Sequence, residues 1–134
     1  MGMKIDILSG AKADILAHAE REHPREVCGI LVGQGLEIQR AVPAANVAAD
    51  PYVCYVIDPA VQAEVQRELR GGEQVVLGYY HSHPGGRPTP SPADAEAMEL
   101  PGALWLIAAG EEIKAFSSRN GGYVSVLIRE VESA

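Results

Sequence analysis

Cysteine is scarce in this chain. Cys28 and Cys54 are the only two, and they do not stand in Cys-x-x-Cys spacing. Two such residues cannot make a disulfide scaffold, and both read as buried free thiols. Long apolar runs are also missing: the longest fall well short of the roughly 20 residues that span a bilayer, which excludes a transmembrane helix. Basic clusters are absent. Acids outnumber bases 18 to 11, for a formal charge of −7, which argues against a nucleic-acid surface. The stretch Met1-Gly2-Met3-Lys4-Ile5-Asp6 has no apolar signal core, and Asp6 stands where a myristoylation motif has Ser or Thr; a cytoplasmic protein with no membrane partner is expected. There is no internal repeat and no low-complexity tail.

What is present is an ordinary globular composition, 47% apolar and 22% charged, in a length that suits one domain over residues 1–134. Lys4 to Leu8 reads as a first strand. Ser9 then caps a helix to about Glu22 with an apolar stripe of Ala11, Ile15, Leu16 and Ala19. His18 falls outside that stripe and His23 ends the helix, so both are expected in solvent. Val27 to Val32 is apolar on both faces, as a central strand is, and Gly33-Gln34-Gly35 turns it back into Leu36 to Val42. Residues Pro43 to Pro51 form a loop, and Tyr52 to Ile57 returns as a strand. Asp58-Pro59 caps a helix carrying Val61, Val65 and Leu69, which Gly71-Gly72 closes. Strands at Val75 to Tyr80, Ala103 to Ala109, Ile113 to Phe116 and Tyr123 to Val131 complete the pattern, with the single tryptophan, Trp105, in the core and a turn at Asn120-Gly121-Gly122. The fold class is mixed α/β (α+β): a mainly antiparallel sheet with two longer helices and one short one.

The chemistry concentrates at Tyr79-Tyr80-His81-Ser82-His83-Pro84. On a strand, residues i and i+2 share a face, so His81 and His83 project together and Ser82 points away. The turn-rich Gly85-Gly86-Arg87-Pro88-Thr89-Pro90 cannot continue the strand, and Ser91-Pro92-Ala93-Asp94 reads as the start of a helix running to about Leu100, before Pro101-Gly102. The loop is long enough for Asp94 to fold back toward the histidines. Two His, one carboxylate and an open fourth position make a catalytic zinc arrangement, whereas a structural site fills all four positions with protein ligands. Each piece alone reads equally well as a surface pair or a helix cap.

In this order and spacing, His81-Ser82-His83-Pro84, seven residues, Ser91, two residues and Asp94 resembles the signature of the JAMM/MPN-plus metallopeptidases. That family carries a further glutamate upstream, commonly just before a Cys-Gly, and Pro24-Arg25-Glu26-Val27-Cys28-Gly29 matches the pattern. The likeness extends to the Asn46 region and to Val56-Ile57-Asp58-Pro59, and no motif position departs from the active form. The resemblance implies a curved sheet flanked by helices, layered as in cytidine deaminases, with one zinc per chain at the sheet edge. His81, His83 and Asp94 would be its ligands. It implies Glu26 as general base and acid, and Ser91 as a hydrogen-bond donor to the developing oxyanion. Without the resemblance, Glu26 reads as a solvated surface charge, and Cys28 would share its strand face only if the strand began that early.

The activity implied is hydrolysis of a peptide or isopeptide bond after the Gly-Gly tail of a ubiquitin-like protein, with the extended tail adding to a sheet edge. The small size resembles prokaryotic members that release adducts, such as a cysteine, from sulfur-carrier proteins. Two other readings stay open: a non-catalytic MPN-type interaction module, and a zinc amidohydrolase or peptidase for small substrates. Oligomeric state, monomer or homodimer, is open as well.

Overall fold

The computed structural model describes residues 3–92, 94, 103–119 and 122–133. Strand β1 (Lys4–Leu8) leads into helix α1 (Ser9–Glu22). The hairpin β2 (Cys28–Gln34) and β3 (Glu37–Ala44) follows, then α2 (Pro59–Leu69), β4 (Val75–Ser82), β5 (Leu104–Ala109), β6 (Glu112–Arg119) and β7 (Gly122–Val131). The strands lie in the order β1-β3-β2-β4-β5-β6-β7, and β7 pairs back onto β1 to close a barrel. The sheet is therefore closed rather than an open curved layer. Four of its seven pairings are antiparallel; β1 with β3, β1 with β7 and β4 with β5 are parallel. Closure gives every strand two neighbours, so the expected free edge for an incoming tail does not exist among the described strands.

The core follows from the period of two along β2. Leu31 points into the cluster shared with Ile5, Ile7, Ile15 and Leu106, where α1 packs. Ile30 and Val32 point the other way, against Val61, Val65 and Leu69 of α2. Both faces are covered, as the two-faced apolar pattern of this central strand predicts. Each fully buried Ile or Leu contributes about 1.5–3 kcal/mol by leaving water. Trp105 is buried, in a small cluster with Ile107 and Phe116. Asp58 caps α2 by accepting a hydrogen bond from the Ala60 N–H, with Pro59 first in the helix, as the sequence indicates.

Several expectations are corrected. His18 is buried, not solvated: it stands three residues after Ile15 and seven after Ala11, on the same helix face, and its Nδ1 lies 2.8 Å from the Tyr80 hydroxyl. Ser9 does not cap α1. It is the first helical residue, and the hydroxyl that receives an N–H of the first turn is that of Ser133, 2.9 Å from Gly10 N. Tyr52 to Ile57 is no strand. The Val53 and Cys54 N–H groups both donate to the Asp50 carbonyl, which makes a turn, and only Ile57 forms a bridge, to Asn46. In consequence Cys54 is exposed, while Cys28 is buried with its thiol pushed up to about 12 by burial. The short helix is helical at Pro92 and Asp94; its continuation to Leu100, Pro101-Gly102 and the Asn120-Gly121 turn lie outside the described residues.

Candidate metal centre

Three elements bring the predicted ligands together. Along β4 the side chains alternate, so Tyr80 and Ser82 face α1 while Tyr79 and His81 face the opposite side. His83 follows the strand end, held there by its N–H donating to the Ala108 carbonyl at 2.8 Å. Strands β4 and β5 are parallel neighbours, so the chain between them must cross over, and that crossover carries Asp94 back to the histidines. There Ser91 and Asp94 brace each other. The Ser91 N–H donates to Asp94 Oδ2 at 2.9 Å, and the Asp94 N–H donates to Ser91 Oγ at 3.1 Å, a reciprocal helix-start pair.

The result is a triangle of potential ligand atoms. His81 Nε2 lies 3.1 Å from His83 Nε2 and 3.2 Å from Asp94 Oδ2, and His83 Nε2 lies 2.8 Å from the same oxygen. His83 Nδ1 is 2.8 Å from the Arg87 carbonyl, which can only accept. That nitrogen must therefore carry a proton, and a neutral ring then turns a bare Nε2 lone pair toward the carboxylate. His81 is fully buried, and its Nδ1 has no hydrogen-bond partner among the described residues. Lone pairs converging on one point repel unless a proton or cation lies among them. Ligands held tetrahedrally around zinc at 2.0–2.2 Å stand roughly 3.3 Å from one another, close to the spacing here. The set fits a metal in geometry and in donor chemistry.

The surroundings tune these groups. Burial holds His81 below the usual histidine range, against the pull of Asp94. His83 is raised, chiefly by its hydrogen bond to Asp94. Burial pushes the Asp94 carboxyl up, but hydrogen bonds from His81 and His83, where a ring carries a proton on Nε2, and from the Ser91 N–H hold it well below the usual carboxylate range. Tyr55 stacks on His81 with ring centroids 4.4 Å apart and planes at 20°. Sequence reading placed Tyr55 in a strand and missed this contact; its position one residue beyond the exposed Cys54 carries no local signal.

Glu26 precedes β2 and is only 8% exposed, so it is not a solvated surface charge. Burial raises its carboxyl pKa, and the negative Asp94 adds to that while His83 opposes it. Beyond it, the Val27 N–H donates to Ser82 Oγ at 2.9 Å and the Ser82 N–H to the Val27 carbonyl at 3.1 Å, so the serine that points away from the His81 face anchors this segment to β4. Glu26, His83, Ser91 and Asp94 together wall a cavity of 430 Å³, closed on another side by Tyr52 to Val56. A larger cavity of 840 Å³ lies between α1 and the ends of β4 and β5, with His83 and Pro84 on its border. It holds neither Glu26 nor Asp94. Cys28 takes no part: its Sγ points to the Ala44 and Ala45 carbonyls at 3.9 and 3.8 Å.

Residues 9–120 match the family described as prokaryotic homologs of the JAB domain. The chain belongs to this family. Among JAB-type relatives it is 34% identical over 112 residues to a desampylase of Haloferax volcanii, covering 79% of this chain and 81% of that protein. It is 29% identical to a probable TtuB-protein conjugate cleaving protease of Thermus thermophilus, over 95% of this chain and 84% of the relative. A CysO-cysteine peptidase of Mycobacterium bovis is 32% identical over 71% of this chain and 66% of its own length. A protein from Desulfitobacterium hafniense solved in solution superposes with a TM-score of 0.86 at 28% identity, covering 96% and 94% of the two chains. With these peptidases the chain is a hydrolase of the JAMM type.

Proposed function

We propose that this protein is a zinc-dependent peptidase that hydrolyses the peptide or isopeptide bond after the C-terminal Gly-Gly of a ubiquitin-like or sulfur-carrier protein. The observation that carries the reading is the convergence of His81, His83 and Asp94 beside a cavity that also holds Glu26 and Ser91. The names of the relatives, a desampylase, a TtuB-conjugate protease and a CysO-cysteine peptidase, supply the substrate class.

His81, His83 and Asp94 would hold one zinc ion and leave a coordination position open. Zinc in such a site supplies Lewis acidity, enough to let water lose a proton near neutrality. The chain's own groups do the rest. Glu26, its affinity for a proton raised by burial, accepts that proton and delivers it to the departing amine. The Ser91 hydroxyl already accepts the Asp94 N–H, which leaves its own hydrogen free to donate to the oxyanion. Arg87 holds the tautomer of His83 through its carbonyl. With no free edge among the described strands, the Gly-Gly tail is received in the cavity, against the segment carrying the exposed Tyr52, Val53 and Val56.

The test is cleavage of a Gly-Gly-tailed carrier joined to an amine, by zinc-loaded protein, with the products weighed by mass spectrometry. A carrier ending at its second glycine is the expected product. No cleavage of any such conjugate with zinc bound, or cleavage of short peptides alone, would remove the carrier substrate.

A further inference from the structure

Glu26 lies outside every helix and strand, so regular pairing does not fix it. Its backbone is nevertheless held on both sides by one loop. The Glu26 N–H donates to the Pro51 carbonyl at 2.7 Å, and the Glu26 carbonyl accepts from Asn46 Nδ2 at 2.8 Å. Asn46 uses its whole carboxamide. Nδ2 also donates to the Cys54 carbonyl at 3.0 Å, while Oδ1 accepts the N–H groups of Ala48 and Val56, each at 3.1 Å. A carboxamide offers two donor hydrogens and an acceptor oxygen with two lone pairs, and each is engaged here.

We propose that Asn46 is a positioning residue for the hydrolysis: its side chain locks the Glu26 backbone to both arms of the loop and thereby sets where the Glu26 carboxylate stands. The proposal rests on the reading of Glu26 as the base. Two observations separate this role from merely holding the loop. The loop's neck is already closed by backbone bonds, Val47 N–H to the Val56 carbonyl at 2.9 Å and Asp58 N–H to the Ala45 carbonyl at 3.2 Å. The residue after Glu26 is anchored independently, by Ser82. Removing the carboxamide therefore leaves neck and strand in place and releases the Glu26 carbonyl. Aspartate is nearly the same shape and keeps the acceptor oxygen, but sets a second oxygen against the Glu26 and Cys54 carbonyls where the amide donated.

The experiment uses the zinc-loaded full chain and the conjugate assay above, on Asn46→Ala and Asn46→Asp, each alone, and on Asn46→Ala combined with Glu26→Gln. Misplacing a base acts on the chemical step, so kcat should fall about tenfold or more in both single variants. KM should stay within about threefold and zinc content should not change. In the Glu26→Gln background Asn46→Ala should cost no more than about a further twofold, because the group it positions is already gone. A kcat within twofold of wild type in both single variants would overturn the proposal. So would a full additional loss in the Glu26→Gln background, which would mean that Asn46 acts elsewhere, and so would unfolding of both variants, which would make it a residue of the fold. Full turnover by Glu26→Gln alone would instead overturn the role of Glu26, and that of Asn46 with it.

Discussion

On the proposed mechanism Ser91 serves two purposes that a single substitution separates. Its hydroxyl accepts the Asp94 N–H, a helix-start bond worth about 1 kcal/mol, and would donate its own hydrogen to the oxyanion, a contact worth about 3 kcal/mol in the barrier. Ser91→Ala should therefore lower kcat by roughly a hundredfold while denaturant unfolding shifts by about 1 kcal/mol or less; a rate loss matched by an equal loss of stability would make it a cap alone. Glu26 gives a second test with a definite sign. Its folded pKa is raised, so charging it costs more in the fold than in the unfolded chain, and the stability it contributes is lost as pH rises from the unfolded value through the folded one. Glu26→Gln removes that cost. The metal-free variant should be at least as stable as wild type at neutral pH, while its zinc-loaded form has lost turnover. Thermal melts at pH 4 and pH 7, beside the activity assay, check both halves.

At the scale of elements, the site depends on β2 and β4 lying close together. Gly29 pairs with Tyr80 across them, and a methyl group at Gly29 would occupy the position of the Tyr80 ring. Gly29→Ala should cost about 1–3 kcal/mol by overpacking, read as a fall in denaturation midpoint. The Tyr80 hydroxyl in turn satisfies the buried His18, joining α1 to β4. Tyr80→Phe should cost about 1–3 kcal/mol by stranding His18 Nδ1. The sequence disclosed much at this scale, because the period of strands and helices is local. The run Val75 to Tyr80 announces a strand, and that strand puts His81 and His83 on one side. His18 was misread although it keeps the spacing of Ala11 and Ile15, since only its partner, 62 residues away, makes burial affordable. Tyr52 to Ile57 has a strand's composition but no partner strand among the described residues; Asn46 takes bonds such a partner would make.

Across the whole molecule, closure of the barrel was not legible. It depends on β1 meeting β7, secured at the surface by Arg129 and Asp6, which are 123 residues apart, and nothing in either segment names the other. Asp94, by contrast, was placed by the spacing of its motif, and Glu26 only by resemblance, since its backbone is held by Asn46 and Pro51 of one distant loop and its neighbour Val27 by Ser82 of β4. No helix among the described residues is long and apolar enough to cross a membrane. If one zinc ion binds the folded chain, it joins β4 to the crossover that follows it. Chelation should then lower the melting temperature as well as abolish cleavage, and zinc should restore both, by linkage.

The most direct test is the metal content of the purified protein, measured beside His81→Ala and Asp94→Ala. The account predicts one zinc per chain in the wild type and little in either variant. A folded, zinc-supplemented wild type carrying little or no metal would contradict it.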